Sequence, residues 1–187
     1  MIAIAVALVL AVTPIADADW NPWEDPAKTF TIEVPSTWKP KPPDDMGFGQ
    51  IVSFELPDPG MAFTISITPN LQLPEEVPLD LLKLFFPPEA TLSEPRRDKG
   101  DGWNRVRQEA KAGTGGESRT WLGAFYGVGS TMVAFTFSGK SPDVEMQRLI
   151  FDRVLTSLRF RPVPKDSPTP QEVPGSQAQF VAGPLLS

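Results

Sequence analysis

The chain has 187 residues, 41% of them hydrophobic, with a net charge of −6. That is enough for one packed domain plus appendages and the wrong sign for general nucleic-acid binding, which needs a basic surface. It contains no cysteine and no histidine, which excludes disulfides, thiolate chemistry, cysteine–metal sites and any Ser-His-Asp or Cys-His mechanism within the chain.

Residues 1–18 read as a signal peptide. An apolar run from Ile2 to Val12 is too short to span a bilayer, and Ala16-Asp17-Ala18 fits a small-x-small cleavage site, so the mature chain starts at Asp19. The first region carries no Lys or Arg beyond the amino terminus, and no cysteine follows the cleavage site to mark a lipoprotein. Residues 19–27 hold Trp20, Pro22, Trp23 and Pro26 and read as an irregular lead-in whose tryptophans fold back onto the core.

Residues 29–34 form a strand with Phe30, Ile32 and Val34 on one face, stopped by Pro35-Ser36-Thr37-Trp38. Residues 39–49, rich in Pro, Asp and Gly, read as a loop. Strands at 51–56 and 61–68 flank the turn Pro57-Asp58-Pro59-Gly60, with Met61, Phe63, Ile65 and Ile67 turned to the core. After a loop at 69–78, residues 79–86 make a short apolar helix that covers the core and stops at Pro87-Pro88. Residues 96–102 are charged and exposed.

The strand at 103–111 has two unlike faces. Val106 and Ala110 lie on one, beside Asn104 and Gln108; Trp103, Arg105, Arg107, Glu109 and Lys111 lie on the other, read as solvent-facing. A glycine turn at 113–116 leads into the best-defined part of the chain. Residues 119–126 and 131–138 alternate, and both faces carry apolar side chains, which places them centrally in a sheet. Gly127-Val128-Gly129-Ser130 joins them as a hairpin. Ser141-Pro142, with Asp143 and Glu145, opens a helix. Its apolar stripe runs through Met146, Ile150, Val154 and Leu158, broadened by Leu149, Phe151 and Leu155. The packed domain spans 28–161. From Pro162 to residue 187 apolar periodicity vanishes, as in a disordered Pro-rich tail.

The segment Phe30-Thr-Ile-Glu-Val-Pro-Ser-Thr-Trp38, the central hairpin, and Phe151-Asp-Arg-Val-Leu-Thr-Ser-Leu-Arg-Phe160 together resemble the PsbP-like fold family. The resemblance implies an α+β domain, an α/β/α sandwich around a central antiparallel sheet. It implies binding or assembly, not a shared reaction. The family includes extrinsic photosystem II subunits, a Ran-binding nuclear-transport factor and many exported bacterial proteins. No functional residues carry over from the photosystem members.

No Walker loop, dinucleotide fingerprint, zinc pattern or nucleophile elbow occurs, and no cofactor or metal is implied. The acidic pairs Asp44-Asp45 and Glu75-Glu76 lack EF-hand spacing and read as solvated loop charge. The binding candidates are Trp103, Arg105, Arg107 and Lys111. Paired arginines can hold a carboxylate or phosphate bidentately, against a plainer reading as a solvated strand face paired to acids such as Glu117. The sequence therefore leads to an exported, periplasmic or extracellular, non-enzymatic binding or assembly protein. Its expected partner is another envelope or secreted protein, with no nucleic acid and no membrane span after leader removal. A carboxylate-based enzyme or accessory domain, and a small-ligand or lipid carrier, are the alternatives.

Overall fold

The computed structural model describes residues 19–47, 49–71, 79–140 and 144–161. The leader, the tail and the helix-opening Ser141-Pro142-Asp143 lie outside the described residues, as does the Glu75-Glu76 pair.

The lead-in is not irregular. Trp20–Glu24 is strand β1, antiparallel to β2, Phe30–Pro35. The turn between them is built by Asp25, which is buried and accepts hydrogen bonds from the amides of Phe30 (2.8 Å) and Ala27 (3.1 Å) and from Thr29 Oγ1 (3.1 Å). Pro22 is tolerated because β1 is an outer strand. Trp20 and Trp23 do fold back, packing against the main apolar cluster.

Next come two short strands, β3 (Lys39–Pro40) and β4 (Asp44–Asp45), both paired to β5, Gln50–Glu55. They lie inside the stretch expected as loop. Strand β6 (Ala62–Pro69) follows, then helix α1 (Leu79–Lys83). Strands β7 (Thr91–Leu92) and β8 (Arg96–Gly100) lead to β9 (Trp103–Ala112). The charged stretch at 96–100 is exposed as expected, but it is a strand.

β10 (Arg119–Val128) and β11 (Thr131–Lys140) form the central hairpin. The turn is tighter than expected. Val128 pairs with Thr131, leaving Gly129-Ser130 as the loop, with Gly129 at φ 57°. Left-handed backbone matches a two-residue turn to the strand twist. Helix α2 (Val144–Ser157) and β12 (Arg159–Phe160) close the domain.

The main sheet is antiparallel, in the order β3-β5-β6-β11-β10-β9-β7, with β4 on β5 and β8 on β9; a second sheet has the order β1-β2-β12. Each face of the main sheet carries an apolar cluster. One joins Phe30, Ile32 and Val34 of β2 to Leu122, Ala124, Tyr126, Val133, Phe135 and Phe137, and to Ile150, Phe151, Val154 and Leu155 of α2. The other joins Leu82 and Phe86 to Val106, Ala110, Phe125, Met132 and Ala134. The alternation read in β10 and β11 therefore holds, and in β9 Val106 and Ala110 join the second cluster, while Trp103, on the face expected to meet solvent, packs against the first. Trp38, after the Pro-x-x turn closed by its amide on Pro35 O (2.9 Å), seals the first cluster against Phe63 at 5.0 Å.

The expected stripe of α2 needs one correction. Leu149 is 72% exposed, and Gln147 is buried in its place. At about 100° per residue, a face centred on Ile150, Phe151 and Val154 includes position 147 and turns 149 outward.

Candidate functional site

Strand β9 has a broken outer edge. β7 pairs with it at Lys111 and Ala110, and β8 pairs from Arg107 to Trp103. Between these, Ser93 donates to Glu109 O at 2.8 Å, and Glu94-Pro95 bulge opposite Gln108. Such a bulge follows from Pro95, which has no N–H for the ladder. The Gln108 amide patches the gap by donating to Ser93 O at 2.6 Å.

The alternate side chains of β9 lie toward α2 and form a row of ion pairs. Arg105 donates Nε to Asp98 Oδ1 (2.7 Å), Nη2 to Asp98 Oδ2, and Nη1 to the Tyr126 hydroxyl (3.0 Å). Its guanidinium carbon lies 5.5 Å from the ring centres of both Trp103 and Tyr126. Arg107 pairs with Asp152 of α2. Glu109 accepts two bonds from Arg148 Nη2, at 2.9 and 2.8 Å, and lies 3.2 Å from Lys111 Nζ. Arg148 also reaches Glu145 at 2.5 Å.

Proton affinities follow these contacts. The Asp98 hydrogen bond outweighs burial and holds Arg105 even more firmly protonated than usual. Burial pushes Glu109 up, but the hydrogen bonds from Arg148 and then Lys111 more than reverse this and leave its carboxyl below the usual range. Arg148 is raised by the same contact with Glu109. Burial raises Tyr126, against the opposing hydrogen bond from Arg105.

Trp103, Arg105, Arg107 and Lys111 thus share one side of one strand, and each of these cations has a carboxylate partner. The partners are Asp98, Asp152 and Glu109, not the expected Glu117, which lies 4.0 Å from Lys140. The face read as solvent-facing is a half-buried flank. The side chains of Arg105 and Arg107 are 19% and 35% exposed. Arg148 and Asp152 were not among the expected site residues. Their four-residue spacing puts them on one face of α2, but that signal says nothing about which strand the face meets.

Three hollows border this region. One of about 630 Å³ lies between the bulge and α2, lined by Arg96, Arg107, Glu109, Arg148, Phe151 and Asp152 among others. One of about 360 Å³ opens at the Trp103 end. A third, about 650 Å³, lies where α2 meets β1 and β2, near Arg153, which stacks 4.0 Å over the Trp20 ring. Among the described residues no group of three acidic side chains converges as a metal site requires. Glu109, moved downward, is the wrong carboxylate for a general acid. What the flank offers is oriented hydrogen-bonding charge beside aromatic rings.

No protein-family model matches the chain, and no curated protein matches it. Among solved structures, cyanobacterial PsbP (CyanoP) from Synechocystis sp. PCC 6803 is similar over 83% of this chain and 99% of its own, with a TM-score of 0.61 and 15% identity. LpqN, involved in cell envelope biogenesis of Mycobacterium tuberculosis, is similar over 78% of this chain and 92% of its own, with a TM-score of 0.50 and 14% identity. At such identities the likeness carries the fold alone. A mostly antiparallel sheet with two helices among the described residues, matched to CyanoP over nearly all of that protein, gives this chain the PsbP-like fold.

Proposed function

We propose that the chain is an exported, non-enzymatic binding or assembly protein that contacts another protein of the cell envelope through the β9–α2 flank. The observation that carries this reading is the row of ion pairs that begins beside Trp103 with Asp98–Arg105 and runs through Arg107–Asp152 to Glu109–Arg148. Trp, Tyr and Arg are the residue types that dominate binding hot spots. Guanidinium groups already held by carboxylates lose less side-chain freedom when a partner docks. Export rests on the leader read at residues 1–18, and the envelope setting is supported by the role stated for LpqN. Among the described residues no helix is long and apolar enough to cross a membrane. On this reading the domain is an α/β/α sandwich, with α1 as its second helical layer.

The test is capture from envelope extract with the full chain expressed in its exporting cell. The wild type is compared with an Arg107→Ala, Lys111→Ala variant that melts as the wild type does. A discrete partner should be retained by the wild type and lost by the variant. Equal capture by both, or recovery of a cytoplasmic protein that keeps Met1, overturns the reading.

A further inference from the structure

We propose that the 360 Å³ hollow at the Trp103 end of β9 binds a small aromatic carboxylate. Its walls are the rings of Trp103, Tyr126 and Phe160 with Leu155 and Leu158, and its polar rim is Asp101, Arg105, Thr156 and Arg159. Its volume falls in the range of about 300–1,000 Å³ typical of small-ligand sites, which likewise combine apolar walls with a few convergent polar groups.

The rings are fixed before any ligand arrives. Trp103 meets Tyr126 at 5.6 Å and Tyr126 meets Phe160 at 5.4 Å, both edge-on. Tyr126 is 2% exposed, and Arg105 is clamped between Asp98 and the Tyr126 hydroxyl. A flat ring therefore enters a slot that need not reorganise.

The hydrogen-bonding inventory selects an acid over a base. The Tyr126 oxygen accepts from Arg105, and its own O–H makes no bond within the described residues. Arg105 spends one N–H on each of Nε, Nη1 and Nη2, leaving further N–H groups on both Nη atoms. Arg159 spends Nη1 on Thr156 O and Leu158 O, both at 2.8 Å, so it closes the end of α2 while its Nε and Nη2 stay unspent within the described residues. Arg159 has no carboxylate partner there, so its charge is not cancelled as those of Arg105 and Arg107 are. Against these donors stands one carboxylate on the rim, Asp101. A ligand carboxylate accepts from the donors, and its ring packs on Trp103 and Phe160.

A carboxylate on a ring can come from a free small acid or from an aromatic residue at a protein's C-terminus. Three probes separate these: phenylacetate, uncharged phenylacetamide, and a tripeptide ending in Phe with a free carboxyl. The readout is the indole N–H resonance of Trp103 in the full chain, identified by its loss in Trp103→Phe. Phenylacetate should move it saturably, and phenylacetamide at the same concentrations should not. Arg159→Gln should weaken phenylacetate about tenfold, as loss of a charge-assisted hydrogen bond does. Tyr126→Phe, which keeps the ring and removes the donor, should weaken it severalfold. Tighter binding of the tripeptide assigns the site to a chain end, and tighter binding of phenylacetate to a free acid. Equal response to acid and amide, no response to either, or indifference to Arg159→Gln overturns the proposal. None of these outcomes bears on protein capture, which reads the Arg107 and Lys111 end of the flank.

Discussion

Gln147 of α2 occupies the space that a side chain at Gly139 of β11 would need. A Cβ on Gly139 would lie 2.1 Å from Gln147 Nε2. The Gln147 amide donates to Lys140 O at 3.2 Å, and the residue is fully buried. This close approach seats the start of α2 on the sheet, and the two ion pairs between α2 and β9, Arg107–Asp152 and Arg148–Glu109, depend on that seating.

Gly139→Ala should therefore destabilise the domain by about 1–3 kcal/mol, the usual cost of overpacking. A double variant with Gln147→Ala should cost less than the sum of the two single changes, because the residues touch. Urea melts of the four proteins decide this. Additive costs would mean that the side chain escapes the collision.

Tyr126 is the sole tyrosine of the chain, so phenolate absorbance reads it alone. Burial raises its proton affinity, and its midpoint in the folded protein should lie above the ordinary value of about 10. A raised folded value means stability that is present below the unfolded value and is lost as pH rises through the folded one. In denaturant the midpoint should return to about 10. A folded midpoint at or below that value would mean that the opposing hydrogen bond from Arg105 offsets or outweighs burial.

Phe135 is fully buried and meets Phe30 at 5.6 Å and Tyr126 at 5.7 Å, edge-on. Phe135→Ala should cost about 3–5 kcal/mol through lost transfer energy and an unfilled cavity. Arg105→Ala with Arg107→Ala should cost less, about 1–3 kcal/mol in total, because the pairs are half exposed but Arg105 also supports Tyr126. Denaturant midpoints rank them. Equal losses would make the flank as structural as the core.

Glu109 is held ionised in the folded state. Its depressed folded value means stability that is present above the unfolded value, about 4.3 for glutamate, and is lost as pH falls through the folded one. Glu109→Gln should give a shallower fall in stability below about pH 5 than the wild type, since that contribution is gone. Parallel acid titrations of both proteins test it, and superimposable slopes would contradict the pairing with Arg148.

The parts of the fold legible from sequence were those set by local pattern. Alternation separated Phe125 from Tyr126 in one strand of the hairpin, and Met132 and Ala134 from Val133 and Phe135 in the other; which faces go together follows from the pairing register. The strand ending in Pro-x-x-Trp was readable for the same reason. β1 was not, because Pro22 and Pro26 look irregular and its pairing is set by β2 and the Asp25 turn. The site was half legible. Trp103, Arg105, Arg107 and Lys111 share a face by simple alternation. Asp98 sits opposite Arg105 only once β8 is recognised as a strand, and Asp152 and Arg148 arrive from a helix whose seating depends on Gly139 and Gln147.

The central claim is that a protein partner docks on the β9–α2 flank. A photo-reactive amino acid at Lys111, whose side chain is 57% exposed, tests it in the intact exporting cell, with Ser53 on β5 as the comparison. The account predicts a discrete heavier adduct from position 111 and none from position 53. An adduct from position 53 alone, or from neither, would contradict it.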